Sequence, residues 1–361
     1  MSDHIPFELQ SGIIKRFPAK SLIRYRSVCK AWKSLIDSSN FITHYSGQQH
    51  LIVRYLDSSG PNYVSIVDDD NTFPHQKVSV TFPPLLKNLK DPSIISSSHG
   101  LLCFYGDYPP GGRAVIWNPS IRKSVVVDVP PPSGNYVRTV VGFGVCHQTM
   151  DPKILKITHT TSLSPWQIEV FTLSTRAWRS LSSGNFPRKS ICISWCQVVV
   201  DGCLYWLARD SITVDGKVTT YDLIISFDLT SEVFGEVNLP FSLAHPHCNL
   251  FMYKLRESLV VIKFSQKVHK QAHHIWMLEK DDVTKSFIKL YTITSHSPDG
   301  SIAYVRGFRK TGEPLTEVVL HSGSTRILAA YEPYSKSITN LGINGRHFFV
   351  ESDYMETLLL L

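Results

Sequence analysis

The 361-residue chain contains no run of the roughly 18 consecutive apolar residues that a membrane span requires. Its first ten residues, MSDHIPFELQ, hold neither the basic nor the apolar stretch of a secretory signal. No Asn-x-Ser/Thr acceptor with a non-proline middle residue occurs, and no CxxC pair. The seven cysteines, Cys29, Cys103, Cys146, Cys192, Cys196, Cys203 and Cys248, are odd in number and lie in apolar surroundings, which predicts reduced, buried thiols. Together these absences predict a cytoplasmic or nuclear protein without a membrane partner.

Catalytic signatures are equally scarce. There is no GxSxG, P-loop or GxGxxG; GFG at Gly142 to Gly144 and INGR at Ile343 to Arg346 read as strand or turn glycines. Asp68-Asp69-Asp70 and Asp281-Asp282 fall in turns, where adjacent acids form solvated loop tips. Cys192, Cys196 and Cys203 lack the spacing of a ligand set. His245, His247 and Cys248 could meet His269, His273 and His274 if their loops share one face, but polar loop histidines are the simpler account. Neither a metal nor a cofactor is expected.

What is present is apolar and aromatic material, 43% and 11% of residues, enough to fill a core. The net charge of +7 is unevenly spread. Residues 1 to 45 hold seven Lys/Arg (Lys15, Arg16, Lys20, Arg24, Arg26, Lys30, Lys33) against three acids (Asp3, Glu8, Asp37). The remainder is nearly balanced, so nucleic acid is not the expected partner.

The basic segment is also the helical one. Pro6 suits the first turn of a helix, Leu9, Ile13, Ile14 and Phe17 recur on one face, and Pro18 ends it. A second short helix covers Lys20 to Arg26, and Ser27 is placed to cap a third carrying Cys29, Trp32, Leu35 and Ile36. A module this small cannot bury all its apolar side chains internally, so some must find another partner, either the following strands or a separate protein.

The segment IPFELQSGIIKRFPAKSLIRYRSVCKAWKSLIDSSNF resembles an F-box, in the form carried by the large plant family of F-box proteins. The resemblance implies docking to a Skp-family adaptor, and through it to the cullin and RING subunits of an SCF ubiquitin ligase. Carried over, the adaptor contacts or their immediate support are Ile5, Pro6, Leu9, Ile13, Ile14, Phe17, Pro18, Leu22, Val28, Cys29, Trp32 and Leu35. Ile5 and Phe17 stand where leucine is usual and Gly12 where an acid is common. A helix-interior glycine costs about 1 kcal/mol relative to alanine. The surrounding basic residues suit an acidic adaptor.

From His50 onward short apolar or alternating runs, such as HLIVRYL, GLLCFY and SVVVDV, are bounded by turn residues, the pattern of many short strands. VIWNPSIRKSVVV, EVFTLSTRAWRSL, ISFDLTSEVFGEV, HIWMLEKDDVTKSFIKL and AAYEPYSKSITNL share a strand, an aromatic, a polar turn and a second strand. Their aromatics, Trp117, Phe171, Phe227, Trp276 and Tyr331, lie 54, 56, 49 and 55 residues apart. A period near 50 with about four strands per unit predicts a β-propeller of about six blades. The aromatic strand is expected third in each blade and the next at the outer edge, with GLLCF, GCLYW and SLVVI as inner strands. The WD dipeptide is absent and Gly-Gly occurs once, so neither WD40 nor strict kelch fits. SSSHGLLCFY, VIWNPSIRKS, VVGFGVC, VDGCLYWLA and AYEPYSKSITNLGI instead resemble the F-box-associated domain of the same plant family. The closing LLLL is expected to pack on the last blade.

The expected organisation is a three-helix F-box at 1–45 and an all-β, propeller-like domain at 46–361. The resemblance implies a non-catalytic substrate receptor that holds a target protein through its propeller loops; Tyr108, Tyr136 and Trp166 are candidates for that surface. A propeller enzyme, glycan-active or oxidase-like, and a non-degradative adaptor-binding scaffold are the alternatives.

Overall fold

Four helices open the chain where three were expected: α1 (Phe7–Ile14), α2 (Ala19–Tyr25), α3 (Lys30–Ile36) and α4 (Ser39–His44). This architecture comes from a computed structural model, which describes the chain except residues 1–4, 109–110, 133–135, 161–165, 183–187, 215–216, 246–248, 268–269, 281–284, 295, 298–299, 321–325 and 361. Pro6 and Pro18 stand immediately before α1 and α2, with φ of −53° and −56°, where a fixed φ starts the helix and a missing N–H is harmless. The cap of α3 is Cys29 rather than Ser27: the Cys29 Sγ accepts the Trp32 N–H at 3.4 Å. Ser27 instead donates from Oγ to the Arg24 carbonyl at 2.7 Å, closing the end of α2. Ser38 caps the unforeseen α4 through the Phe41 N–H.

The chain divides into two compact units, Met1–Leu51 with Ser65–Pro131 and Asp353–Leu361, and Ile52–Val64 with Pro132–Ser352. In the first, Ile14, Ala19, Leu22, Ile36, Phe41 and Tyr45 of the helical segment form one buried cluster with Leu358, and Ile121 packs against it. Of the closing leucines, expected on the last blade, Leu358 instead completes the helical core. Their backbone is held by polar partners. The fully buried Asn118 donates from Nδ2 to the carbonyls of Thr357 (3.0 Å) and Leu359 (2.7 Å), and the Ser120 Oγ accepts the Thr357 N–H at 3.2 Å. Gly100 (φ +74°) lies under this tail, where a Cβ would collide with the Met355 carbonyl and the Thr357 side chain. Glu356 accepts the Ala19 N–H, the first of α2, at 3.3 Å, and its own N–H and carbonyl pair with Gln48 and Gly47.

The first unit also holds the four-stranded antiparallel sheet Lys90–Ser98, Leu101–Tyr108, Gly111–Asn118, Lys123–Val129, in that order. The second holds three more meanders of the same kind. They are Tyr136–Val145, Pro152–Thr160, Gln167–Thr172, Ala177–Ser180; then Cys192–Val200, Cys203–Val214, Lys217–Asp228, Phe234–Val237; then Asn249–Leu255, Ser258–Lys267, Lys270–Lys280, Lys285–Thr294. A larger sheet follows through Gly300–Phe308, Pro314–Leu320, Arg326–Tyr331 and Ile338–Met355 to Gln49–Asp57 and Gly60–Val67, so the C-terminal strand lies beside the first. This is the blade architecture that the repeat predicted.

The five aromatics all lie in the third strand of their repeat, as expected. Behind four of them the turn is built the same way, and the turn after Trp276 lies outside the described residues. Arg122, Arg176, Glu232 and Lys336 adopt φ between 53° and 58°. In three of the four, that residue's N–H returns to the carbonyl four residues back, at Thr172, Asp228 and Glu332, over 2.8 to 2.9 Å. Polar side chains support the turn: the Asp228 Oδ1 accepts the N–H groups of Thr230 and Ser231, and the Asn118 Oδ1 accepts that of Ser120. One expectation shifts by a strand. GLLCF, GCLYW and SLVVI are second strands, and the edges are Lys90–Ser98, Cys192–Val200 and Asn249–Leu255.

Candidate functional site

The helical segment has two faces with opposite fates. α1 sends Ile14, 2% exposed, into the core it shares with Leu22 and Leu358, while Leu9 and Ile13, four residues apart, stay 60% and 49% exposed. Ile5 just before α1 and Val28 just before α3 are exposed too. Four large apolar side chains in a segment of this length thus remain uncovered, flanked by exposed Arg16, Lys20, Arg24, Lys30 and Lys33. Pro6, Pro18 and Cys29 are also exposed. Of the two destinations the sequence allowed for its apolar surplus, the fold uses the strand domain for one face and leaves the other bare.

The remaining members of the expected contact set stiffen this face. Phe17, Tyr25 and Trp32 form a ladder of edge-to-face rings, with centroids 5.2 and 5.7 Å apart. The Trp32 Nε1 donates to the Gln10 Oε1 at 3.4 Å, joining α3 to α1, and Leu35 packs on the core. The Tyr45 hydroxyl donates to the Phe17 carbonyl at 2.9 Å. Arg26 is committed to Asp37 through two bonds of 2.6 and 3.0 Å, and Lys15 lies over the Phe41 ring. These two cations are therefore internal braces.

The expected target surface is less well placed. Trp166 is buried, its ring tilted against that of His159 with centroids 4.2 Å apart, which removes it as an exposed anchor. Tyr108 is partly exposed beneath the Arg113 guanidinium, and the Tyr136 side chain lies outside the described residues. Sequence reasoning missed three exposed aromatics, Trp195 between Cys192 and Cys196, Phe241 and Tyr334; Trp195 is the one that lines a cavity. Its strand is irregular. Ile193 pairs with Ala208 and Gln197 with Trp206, so Ser194, Trp195 and Cys196 oppose Leu207 alone.

The described residues do not assemble the metal or acid-base chemistry weighed from sequence. Among the described residues no group of three His, Cys, Asp or Glu could hold a metal ion. His273 is buried, and burial pushes its pKa down to about 4; His274 is bonded to Ser265 and Thr292. His247, Cys248, His269, Asp281 and Asp282 lie outside the described residues. Asp69 caps a turn through the N–H groups of Asn71 and Thr72. The six described cysteines are free, but Cys29, Cys192 and Cys196 are exposed, so burial holds only for some. Among the described residues no helix is long and apolar enough to cross a membrane.

A capped helical module with one bare apolar face, in a chain of repeated four-stranded meanders, defines an interaction protein of the blade class. Comparison with known proteins gives the family: residues 35–311 match the F-box associated beta propeller domain and residues 2–44 the F-box domain, and the chain belongs to the former family. Relatives in Arabidopsis thaliana include the protein named "Putative F-box protein At3g10240", 24% identical over 95% of this chain and 86% of its own length. Another is F-box protein At3g07870, 22% identical over 95% of this chain and 88% of its own. Among solved structures, TolB from Acinetobacter baumannii aligns with 85% of this chain and 66% of that one, at 10% identity and a TM-score of 0.44.

Proposed function

We propose that the protein is the substrate-receptor subunit of an SCF-type ubiquitin ligase, with residues 1–45 docking a Skp-family adaptor and residues 46–361 carrying the target. The observation that supports this most directly is that Ile5, Leu9, Ile13 and Val28 stay exposed on a module whose other apolar side chains already fill a core. Burying each such side chain is worth about 1.5 to 3 kcal/mol at full burial, so the four supply the apolar centre of an interface. In this arrangement Pro6, Pro18 and Cys29 contact the adaptor beside them, and Ile14, Phe17, Leu22, Trp32 and Leu35 support them from beneath. Exposed Arg16, Lys20, Arg24, Lys30 and Lys33 would speed association with an acidic adaptor.

In this role the chain performs no bond chemistry. Its contribution is proximity: a bound target lysine is held where the thioester-carrying subunit can reach it. The cullin and RING subunits would join through the adaptor, in the cytoplasm or the nucleus. The test is co-expression with a Skp-family adaptor and its cullin–RING partner, followed by size-exclusion chromatography. Co-elution lost in a Leu9→Asp, Ile13→Asp double variant supports the proposal; a folded wild-type protein eluting alone contradicts it.

A further inference from the structure

A cavity of about 290 Å³ in the second unit is lined by Arg138, Cys192, Trp195, Leu207, Arg209 and Leu250, with Asp222 beside them. It sits near the starts of three edge strands: Arg138 is third in Tyr136–Val145, Cys192 opens Cys192–Val200 and Leu250 is second in Asn249–Leu255. The middle strand, Cys192–Val200, packs against each of the other two. The strand irregularity at Ser194 to Cys196 pushes Trp195 outward to 62% exposure. Irregularities of this kind commonly re-aim one side chain beside a functional site.

The charge in the cavity is not balanced. Arg209 is committed to Asp222, through bonds of 2.8 and 3.4 Å. Arg138 has another environment: its guanidinium lies 4.5 Å from the Trp195 ring centroid and donates to the Cys192 Sγ at 3.2 Å. Its cross-strand neighbour His159 is held below the usual histidine range, by burial first and then by the Arg138 charge. Among the described residues no carboxylate pairs with Arg138. A guanidinium already oriented by a ring retains N–H edges for an incoming carboxylate, and that pairing is strongest where water is partly excluded. Trp195, Leu207 and Leu250 offer the apolar surface next to it.

We propose that this cavity is the target-recognition pocket and that it takes an acidic peptide segment, with an Asp or Glu carboxylate on Arg138 and an adjacent apolar side chain against Trp195, Leu207 and Leu250. The volume suits one large side chain and its neighbour, at the small end of ligand pockets. The proposal rests on the receptor function above and adds the chemistry of what is received. It also assigns Cys192 a place at the mouth, where an alkyl group on sulfur would displace Arg138.

The test uses the full chain on a degenerate peptide array in which a central Glu or Asp is flanked by Leu, Phe or Tyr, with Gln and Lys counterparts at the same positions. Acidic spots should be favoured over their Gln counterparts. Arg138→Gln and Trp195→Ala should each weaken that binding about tenfold. Adaptor binding, measured in parallel, should be unchanged in both variants, so loss of adaptor binding by the wild type would indict the receptor function and not this pocket. Equal capture of acidic and Gln spots, or acidic binding that survives both substitutions in folded protein, overturns the proposal.

Discussion

Truncating Leu358 to alanine isolates the dependence of the helical module on the far end of the chain. Leu358 is fully buried among Ile14, Ala19, Leu22, Ile36, Phe41 and Tyr45. Leu→Ala at such a site costs about 2 to 5 kcal/mol, depending on how far the cavity can collapse. Collapse is restricted here because Asn118 holds the carbonyls on both sides of Leu358, so the tail cannot slide inward. A cost of about 3 kcal/mol is therefore expected. A core in a segment of this size rarely supplies more than about 3 to 5 kcal/mol, so the variant leaves α1 to α4 open far more often than the wild type. Hydrogen exchange in α1 to α4, with a denaturant melt, reads this directly. Adaptor affinity should fall only by the fraction of closed molecules, because the exposed contacts are untouched. Leu9→Ala should do the reverse, leaving exchange unchanged and weakening the adaptor complex. Unchanged exchange in α1 to α4 and a stability loss under about 0.5 kcal/mol in Leu358→Ala would refute the argument that the tail completes this core.

Other substitutions test separate parts of the account. A Cβ at Gly12 meets nothing within 4 Å, so Gly12→Ala should stabilise α1 by about 0.5 to 1 kcal/mol, visible as a raised melting temperature. Burial raises the Glu356 pKa, so the folded state holds that proton more tightly than the unfolded chain does. The contribution of this group to stability is then fully present below the unfolded value of about 4.3 and shrinks as pH rises. Glu356→Gln should accordingly stabilise at pH 7 and lose its advantage near pH 4, in urea melts at both pH values. Glu317 is fully buried between Arg306 (2.6 Å) and Arg326 (2.5 Å), and Glu317→Ala leaves both cations without it. A loss of about 3 to 5 kcal/mol is expected in equilibrium unfolding, and a change under about 1 kcal/mol would contradict it.

The parts of the fold legible in the sequence are those written by repetition. The aromatic before each polar turn marks the third strand because a left-handed residue and a side-chain acceptor are needed at fixed offsets to close the hairpin, as at Asp228 and Glu232. α1 and α2 are announced by Pro6 and Pro18, whose fixed φ starts a helix. The cap at Cys29 was hidden because sulfur is a weak acceptor and Ser27, two residues earlier, is a stronger candidate by type. The docking of Leu358 into the helical core joins residues more than 300 positions apart, which no local pattern encodes. The bare and buried faces of α1 share one apolar composition; Leu9 and Ile14 differ only in which side the strand domain occupies. Trp195 escaped notice for a related reason, since a strand irregularity breaks the alternation that would assign its side.

The central claim is that the bare face of α1 and the turn before α3 receive an adaptor. Isothermal titration of the full chain with a purified Skp-family adaptor tests it most directly, with the Leu9→Asp, Ile13→Asp variant alongside and circular dichroism confirming that both are folded. Submicromolar binding by the wild type, abolished in the variant without loss of structure, is the predicted result. A folded wild-type chain that does not bind, or a variant that binds equally well, would contradict it.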